Sequence, residues 1–392
     1  MIKILNKEEL EGRTWFSSAI PDIEIESSDA RPFEVMVNCE RYDGNGVEGP
    51  SGTTSYLLYK ETVSPNADHK FVLQDLLGLL SHCMRDELLA VVSVSFNGAS
   101  GYADLSFLVV YVHECVGVDA DAEDFLLHRF LSVLDGSRRT CLGRKEVLHV
   151  LVKEEMIFDD EEEEVDDEEV AEEEEAPFDV AVSIRDYYSD GTWEDRVGEK
   201  RKVLSRIPGN FGDRWHCYAI DASPVSKEGK ELIRYVVTVG ERTQEYIVDY
   251  EHEEANAVVM FINSFGVPEY AYVNGSVKGM SEYERQGAVI NGSYRNFKVK
   301  ETRYWEANTG CLSEEEEEWF LDLLRSDEVY ICRSGEPWKE IAIVESKAES
   351  TSDGDALNRY TFKYRISDRH QSFVGFRSYP EIFTGEYNRI FR

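Results

Sequence analysis

Short alternating apolar runs, broken by Gly, Asp, Asn or Pro, recur along the chain of 392 residues. A period of two places every second side chain on one face of an extended strand, and the breaks supply turns between antiparallel neighbours. Val, Tyr, Phe and Thr are dense in these runs, as a half-buried sheet surface favours. The pattern predicts strands at 33–38, 55–59, 88–96, 105–113, 147–153, 180–184, 235–239, 245–248, 293–302, 328–332, 341–346 and 359–366, and a hairpin within 258–275.

A helix is predicted at 313–324, where the sequence reads SEEEEEWFLDLL. Ser313 can cap the first turn, and Glu316, three residues later, completes a capping box. The acidic residues lie near the positive end of the helix dipole. The apolar residues that follow have helical spacing and form one stripe: Trp319, Phe320, Leu323 and Leu324.

A second helix is predicted at 121–134, with Asp121 as its N-cap and Gly136 just beyond its end. Its apolar stripe consists of Phe125, Leu126, Phe130, Val133 and Leu134. Residues 73–84 fit either a helix or a strand, because Gly78 interrupts the apolar run. The many strands and two short amphipathic helices predict a mainly β protein with two or three antiparallel β-sandwich-like domains.

The run DDEEEEVDDEEVAEEEE, at 159–175, holds 14 acidic residues and no basic one. Such a segment cannot bury enough apolar surface to order itself, which predicts a disordered, solvated loop or linker. A nucleic-acid mimic and a calcium-loaded tract are the alternatives, but the run lacks the Gly-turned loop of an EF-hand. It divides the chain into an N-terminal β domain (1–158), the acidic segment (159–177), a middle β domain (178–250) and a C-terminal β domain (254–392).

The formal net charge is −36 at pH 7, and the chain outside the acidic run still carries −22 because the run contributes 14 negative charges. An acidic surface repels phosphate backbones, so nucleic acid is not an expected partner. No apolar run approaches the roughly 20 residues of a membrane-spanning helix, so no membrane partner is expected. The first residues lack a basic region followed by an apolar core, which predicts no secretory signal peptide and synthesis in a cytoplasm.

The sequence predicts no catalytic residue, no cofactor and no metal site. It lacks a Gly-x-Ser-x-Gly elbow, a Gly-x-x-x-x-Gly-Lys phosphate loop, a His-Glu-x-x-His motif and a dinucleotide fingerprint. The seven cysteines lie far apart, and we expect reduced, mostly buried thiols. Because the chain has 78 acidic residues, the presence of two carboxylates that could act as a glycosidase pair says almost nothing about function. Three tryptophans can stack on sugar rings if they are exposed: Trp193, Trp215 and Trp338.

Residues 258–275, VVMFINSFGVPEYAYVNG, have the pattern of a strand, a turn and a second strand. Asn263 and Ser264 can hydrogen-bond to their own backbone. Gly266 can adopt a positive φ, and Pro268 fixes the direction of the exit. This turn chemistry needs no ligand, so we expect a joint in a sheet and not a binding site.

Several features occur together along the chain. They are the Asn-x-Phe-Gly-x-Pro-Glu turn of FINSFGVPEYAYVNG, the Leu-Ser-Glu-Glu helix start before LLRSDEVYI, the strand DALNRYTFKYR, and the N-terminal-half segment DFLLHRFLSVLDGSRRT. In these features, over about two thirds of its length, the chain resembles a group of prophage-encoded tail and baseplate proteins of gut anaerobes. The acidic run at 159–175 departs from the pattern of that group.

The resemblance implies a non-enzymatic virion protein of the tail tip or baseplate, made and assembled in the host cytoplasm, that contacts other tail proteins and forms a homo-oligomeric ring. It transfers no functional residue. Ring closure uses heterologous contacts, and the acidic charge opposes crowding, so we expect a weakly associated or monomeric protein in isolation. Two alternatives stay open: a carbohydrate- or host-receptor-binding β module, and a glycan hydrolase.

Overall fold

The computed structural model describes residues 1–42, 53–84, 88–151, 182–196, 215–221, 230–251, 255–333, 336–347 and 358–367. The acidic segment predicted at 159–177 lies outside the described residues.

The strands, in chain order, are β1 (Ile2–Ile4), β2 (Thr14–Phe16), β3 (Ile23–Ser27), β4 (Phe33–Tyr42), β5 (Thr53–Val63), β6 (Lys70–Leu73), β7 (Leu89–Gly98), β8 (Gly101–Val110), β9 (Ser137–Thr140), β10 (Lys145–Leu151), β11 (Val182–Tyr188), β12 (Trp193–Asp195), β13 (Trp215–Asp221), β14 (Leu232–Val239), β15 (Arg242–Val248), β16 (Ala257–Ile262), β17 (Pro268–Val273), β18 (Val277–Ile290), β19 (Ser293–Asn308), β20 (Val329–Cys332), β21 (Lys339–Lys347) and β22 (Thr361–Ile366). The helices are α1 (Lys7–Leu10), α2 (Leu76–Met84), α3 (Ala122–His128) and α4 (Glu314–Arg325). The prediction of a mainly β protein is confirmed, and each predicted strand overlaps an observed one.

The chain forms two compact units that are each discontinuous in sequence. Unit 1 comprises 1–132, 147–220 and 228–245, and unit 2 comprises 133–146, 221–227 and 246–392. The division into domains at 1–158, 178–250 and 254–392 stays a prediction.

In unit 1, a three-stranded sheet (β1-β3-β6) and a five-stranded sheet (β2-β8-β7-β4-β5) contribute to one apolar core. Alternate residues of the strands are buried, such as Ile23 and Ile25 on β3 and Val92 and Val94 on β7. Burial of one face from each sheet gives the sandwich-like packing that the period-two pattern predicted. Strands β12, β11, β14 and β15 form a further sheet in that order, and β10 pairs with β13.

One strand pair in unit 1 departs from the antiparallel pairing that the sequence predicts. Strand β2 runs parallel to β8, with Thr14 opposite Leu108 and Phe16 opposite Val110. The strand has only three residues, too few for its pairing direction to be inferred from a sequence pattern.

Helix α3 begins where it was predicted to begin, but it is shorter than 121–134. The Asp121 carboxylate accepts hydrogen bonds from the backbone N–H groups of Glu123 and Asp124. The helix ends at His128 because Arg129 is extended, and the Leu131 N–H then donates to the carbonyl of His149 at 2.9 Å. Pairing with a distant strand therefore overrides the helical periodicity of the later apolar residues.

The ambiguous segment 73–84 contains a helix, α2, so the structure has more than the two helices predicted. The Gly78 N–H donates to the Asp75 side chain at 3.3 Å, which places Gly78 in the first turn of the helix. A glycine near a helix start costs less than one in the helix interior, where all backbone groups are paired.

In unit 2, a seven-stranded sheet has the order β17-β16-β20-β21-β22-β19-β18. Its pairs are antiparallel throughout the described residues. One face of the sheet is buried, and Trp319, Phe320 and Leu323 of α4 belong to the same core. The predicted apolar stripe of α4 is thereby confirmed in its central residues.

The predicted capping box of α4 is also confirmed. The Ser313 hydroxyl accepts from the Glu316 N–H at 3.2 Å, and the Glu316 carboxylate accepts from the Ser313 N–H at 3.0 Å. The same carboxylate is bound by the Arg139 guanidinium at 2.7 Å. Glu316 thus joins the helix start to the segment 133–146 within unit 2.

Candidate functional site

The turn between β16 and β17 is a tight joint, as expected. Ile262 pairs with Pro268, and the Asn263 side-chain carbonyl accepts from the N–H groups of Phe265 (2.9 Å) and Val267 (3.1 Å). Gly266 has a φ of 78°, the left-handed conformation that glycine adopts without strain. These contacts account for the turn-forming residues in the sequence.

The polar side chains of this turn bond to helix α4 and to each other inside the core of unit 2. The Ser264 hydroxyl and N–H both donate to the Asp322 carboxylate, the N–H at 3.0 Å. The Glu269 carboxylate accepts from the Asn263 amide at 2.6 Å and from the Trp319 indole N–H. Sequence reasoning expected Ser264 to bond locally and missed its partner 58 residues away.

Burial raises the pKa of Glu269 above its ordinary value of 4.5, although the hydrogen bonds from Trp319 and Asn263 act in the opposite direction. A carboxyl whose folded-state pKa is raised binds its proton more tightly in the folded state. Its contribution to stability is full below the unfolded pKa and is lost as the pH rises through the folded pKa.

We therefore expect Glu269→Gln to change how stability depends on pH. The stability advantage of the wild type over the variant should shrink as the pH rises from about 5 to about 8, because only the wild type has this carboxyl to ionise. Urea unfolding at several pH values measures the difference. Glu340→Gln, at an exposed carboxyl of the same unit, is the control and should show no such trend. A difference between wild type and Glu269→Gln that is constant across this range contradicts the prediction.

A buried ion pair lies beside this network in unit 2. The Arg138 guanidinium contacts the Glu146 carboxylate at 3.1 Å, and both side chains are almost fully buried. Arg138 also donates to the carbonyl of Tyr270 and lies 4.2 Å from the ring centre of Trp319. The Thr140 hydroxyl donates to Glu146 at 2.7 Å. The contacts describe a structural arginine that connects β9, β10 and β17 with α4.

A small cleft in unit 2 is lined by arginines 138, 139 and 144, with Cys141, Cys311 and Tyr272 among its other residues. Its volume is about 60 Å³. The guanidiniums of the arginines bond to protein groups, and Arg144 donates to the side-chain carbonyl of Asn274 at 2.7 Å. Pockets for small-molecule ligands usually span about 300–1,000 Å³, so this cleft has room for only a few water molecules.

A second cleft of unit 2, of about 100 Å³, has an aromatic wall. Trp305 and Tyr364 stack with ring centres 5.9 Å apart, and the Arg333 guanidinium donates to the Tyr364 hydroxyl at 2.6 Å. Arg333 also lies 5.4 Å from the centre of the Trp305 ring. The Arg333 guanidinium therefore lies close to both rings, and the cleft is again below the usual ligand size.

The three tryptophans singled out in the sequence have different surroundings. Trp193 is 54% exposed, and the Arg185 guanidinium lies 4.3 Å from its ring centre. Trp338 is half-buried and packs edge-on against Tyr270. The Trp215 side chain lies outside the described residues.

None of the seven cysteines, which all lie in the described ranges, forms a disulfide, but only Cys39, Cys141 and Cys217 are buried, so the expectation of mostly buried thiols is wrong. Burial raises the pKa of Cys217 to about 12, which keeps it as an unreactive thiol. Within the described ranges, no group of three or more His, Cys, Asp or Glu side chains is arranged to hold a metal ion. None of the helices in those ranges has the length and apolar content needed to cross a membrane.

Among the described residues of unit 2, a two-stranded extension of the sheet is highly exposed. Strands β18 and β19 pair from Val277 opposite Ala307 to Ile290 opposite Ser293, whereas β22 pairs only with residues 305–308 of β19. Residues 280–304 therefore continue as two strands beyond the edge of β22, and we call them the ribbon. Eleven residues of β18 at about 3.3 Å each give the ribbon a length of about 35 Å.

The ribbon ends in a tight hairpin turn at Asn291 and Gly292. Their φ values are 52° and 78°, both positive, as the two central residues of a type I′ turn require. Asn-Gly is the sequence most favoured there, because both residues tolerate the left-handed region. The ribbon is thus a feature that the sequence encodes locally.

Exposed apolar side chains are concentrated in the outer half of the ribbon. We define the ribbon patch as Val289, Tyr294, Phe297 and Val299, which are 70%, 72%, 62% and 55% exposed. Val289 is paired directly with Tyr294, and strand alternation places Val299 on the same face. Phe297 is the extra residue of a β-bulge, since Gln286 pairs with Lys298 and Gly287 with Asn296.

The Tyr294 ring lies across Gly287 on that face. A side-chain carbon at residue 287 would overlap the ring, so glycine is needed for this close approach. Nearer the base of the ribbon, the same face carries Glu301, which accepts hydrogen bonds from Tyr283 (3.1 Å) and Arg303 (2.6 Å). The most exposed apolar side chains therefore lie in the outer half, whereas Met280 and Tyr283 nearer the base are 39% and 47% exposed.

Sequence reasoning predicted the strand 293–302 but not β18, and it assigned no binding residue here. The signal that identifies the ribbon is the Asn-Gly pair in AVINGSYRNF, with apolar residues on both sides. From Ser293 to Lys300, polar residues alternate with apolar ones except at the bulge, which marks this segment as a strand with one apolar face. The exposure of that face could not be inferred, because a half-buried strand has the same pattern.

Comparisons with known proteins identify no relative. No protein-family model and no curated protein matches the chain. Among solved structures, a red sea bream transglutaminase is 9% identical and aligns over 59% of this chain and 29% of its own, with a TM-score of 0.15. A bacterial ice-binding adhesin is 8% identical and aligns over 79% of this chain and 92% of its own, with a TM-score of 0.15. The four N-terminal Ig domains of Dscam1 are 8% identical and align over 92% of this chain and 76% of their own, also with a TM-score of 0.15. Likeness at this level identifies neither a shared fold nor a function.

Proposed function

We propose that this protein is a non-enzymatic structural subunit that acts through protein–protein assembly, as a component of a phage or prophage tail tip or baseplate. The observation that carries the assembly role is the ribbon patch, whose four apolar side chains are each more than half exposed. An isolated two-stranded hairpin is marginally stable in water, and contiguous exposed apolar residues are typical of interaction sites.

The edges of the ribbon support the same role. Along residues 280–304 each strand has one partner among the described residues, so each presents backbone N–H and C=O groups on its other side. Unpaired edges are places where another chain can add strands. An apolar face together with open edges suits a contact with another protein.

The tail assignment is supported by the sequence resemblance to prophage tail and baseplate proteins. The two clefts of unit 2 described above are smaller than a usual substrate pocket, which favours a structural role over a catalytic one.

The test is the protein content of tail particles. Particles purified from a host that carries the gene should contain this chain in several copies per tail, as measured by quantitative mass spectrometry. Absence of the chain from particles that contain the other tail proteins would refute the tail assignment. Specific binding to a glycan array that Trp193→Ala abolishes would instead favour the carbohydrate-binding alternative.

A further inference from the structure

The ribbon has a charge opposite to that of the chain that carries it. Residues 285–300 include four basic residues and no acidic one: Arg285, Arg295, Lys298 and Lys300. The whole chain carries −36, so the residues outside this stretch carry −40. A strongly basic segment at the end of an arm about 35 Å long is therefore presented by a strongly acidic protein.

The side chains of these four basic residues are exposed. Ion pairs with other residues of the protein neutralise little of their positive charge. The one ion pair of this stretch among the described residues joins Lys300 to Glu284 at 3.5 Å, with both side chains mostly exposed. Such surface pairs contribute little and are screened by salt. Arg285 lies 5.2 Å from the ring centre of Tyr283.

Another described stretch, 136–145, also has four basic residues and no acidic one, but it differs in its contacts. Arg138 is paired with Glu146 and Arg139 with Glu316, both within unit 2. Arg144 donates to Asn274. The basic residues at 136–145 mainly stabilise the fold, whereas those of the ribbon face solvent.

On this basis, and resting on the proposed assembly function, we propose that the ribbon of one copy docks on the acidic surface of a second copy of this chain. Arg285 lies on the face of Val289 and Val299, and Arg295, Lys298 and Lys300 lie on the opposite face. Basic side chains of both faces would pair with carboxylates of the second copy on either side of the ribbon, and the ribbon patch would become buried in the same contact. The contact is heterologous, because the ribbon meets a different surface on its neighbour, and repetition of such contacts builds a ring or a filament.

Charge also selects this arrangement over the nearest alternatives. Two ribbons that met end to end would bring their basic ends together, which like-charge repulsion disfavours. Nucleic acid would satisfy the basic residues, but its phosphate surface leaves Val289 and Val299 without an apolar partner. An acidic protein surface can provide both kinds of contact.

Self-association of the full chain tests the proposal. In sedimentation velocity, the isolated wild type should associate weakly and reversibly at about 50 mM salt and much less at about 500 mM, where the Debye length is shorter. The tip variant Arg295→Glu/Lys298→Glu/Lys300→Glu should weaken the association at least about tenfold. The control Lys3→Glu/Lys60→Glu/Lys70→Glu changes the net charge equally but at exposed positions of unit 1, and it should retain more of the association.

A crosslinking measurement identifies the partner surface. The variant Tyr294→p-benzoylphenylalanine, mixed with isotope-labelled wild type and irradiated, should form crosslinks to acidic segments of the labelled chain outside the ribbon. Hydrogen exchange of α4 peptides for the tip variant, and of β7 peptides for the control, confirms that the unit carrying each set of substitutions is folded.

Three results would overturn the proposal: a wild type that is monomeric at low salt, equal weakening by the tip variant and its control, or crosslinks confined to the ribbon itself. Binding of the wild type to a 30-base-pair DNA or to vesicles with about 30% phosphatidylserine, without self-association, would assign the ribbon to phosphate surfaces instead. If the chain is present in tail particles but does not self-associate, the tail assignment stands and the second-copy proposal fails.

Discussion

Replacing Arg138 by methionine is expected to lower the free energy of unfolding of unit 2 by about 3–5 kcal/mol. The substitution removes the cation that pairs with Glu146 at 3.1 Å and leaves that carboxylate, which has no solvent exposure, without its counter-charge. It also removes the donor to the Tyr270 carbonyl and the stacking of the guanidinium over Trp319. A buried charge without a partner is among the few mechanisms that give losses this large.

A double-mutant cycle separates the charge effect from the loss of packing. Glu146→Gln in the Arg138→Met background removes the buried negative charge that has lost its partner, and it should recover part of the lost stability. The Thr140 hydroxyl can still donate to the amide oxygen of the glutamine. Urea unfolding of the full chain, followed by hydrogen exchange of α4 peptides, reports on unit 2. A loss below about 1 kcal/mol for the single variant would show that the pair contributes little.

Trp319→Ala is expected to cost about 3–5 kcal/mol in the same measurement, because it opens a large cavity in the core of unit 2. Trp319 is 4% exposed, packs edge-on against Phe261 at 5.9 Å, and donates its indole N–H to Glu269. The loss therefore combines missing contacts with a carboxylate oxygen that has lost a donor.

Two matched substitutions show which part of Trp319 matters. Trp319→Phe keeps much of the ring packing and removes the donor, so it should cost less than Trp319→Ala, about 1–3 kcal/mol. Trp193→Ala removes an exposed ring of unit 1 that contacts Arg185, and it should cost less than about 1 kcal/mol. Equal losses for Trp319→Ala and Trp193→Ala would contradict the assigned burial.

Local signals in the sequence were sufficient for helix α4 and for the turn at 263–268. Ser313 and Glu316 are three residues apart, and the capping box depends only on that spacing. Gly266 and Asn263 form the turn through contacts within four residues. Structural features that depend on residues close together in the chain can therefore be predicted from the sequence.

Features that depend on distant partners were not predictable. Helix α3 ends early because the Leu131 N–H bonds to the carbonyl of His149. The hydrogen bond from Arg138 to the carbonyl of Tyr270 joins residues that are 132 positions apart in the sequence. Charge composition alone gave no means of separating the buried arginines of 136–145 from the exposed basic residues of the ribbon. That difference, which underlies the second-copy proposal, is a property of tertiary structure.

The measurement that tests the central claim most directly is incorporation of a ribbon-patch variant into tail particles. Val289→Ser/Tyr294→Ser changes only exposed side chains and should leave the fold of unit 2 intact, as hydrogen exchange of α4 can verify. Tyr102→Ser, at a residue of unit 1 that is 61% exposed, is the matched control. We expect particles to contain the wild type and the control at equal levels and to lack the ribbon-patch variant. Incorporation of the variant at the wild-type level would show that the protein does not assemble through its ribbon.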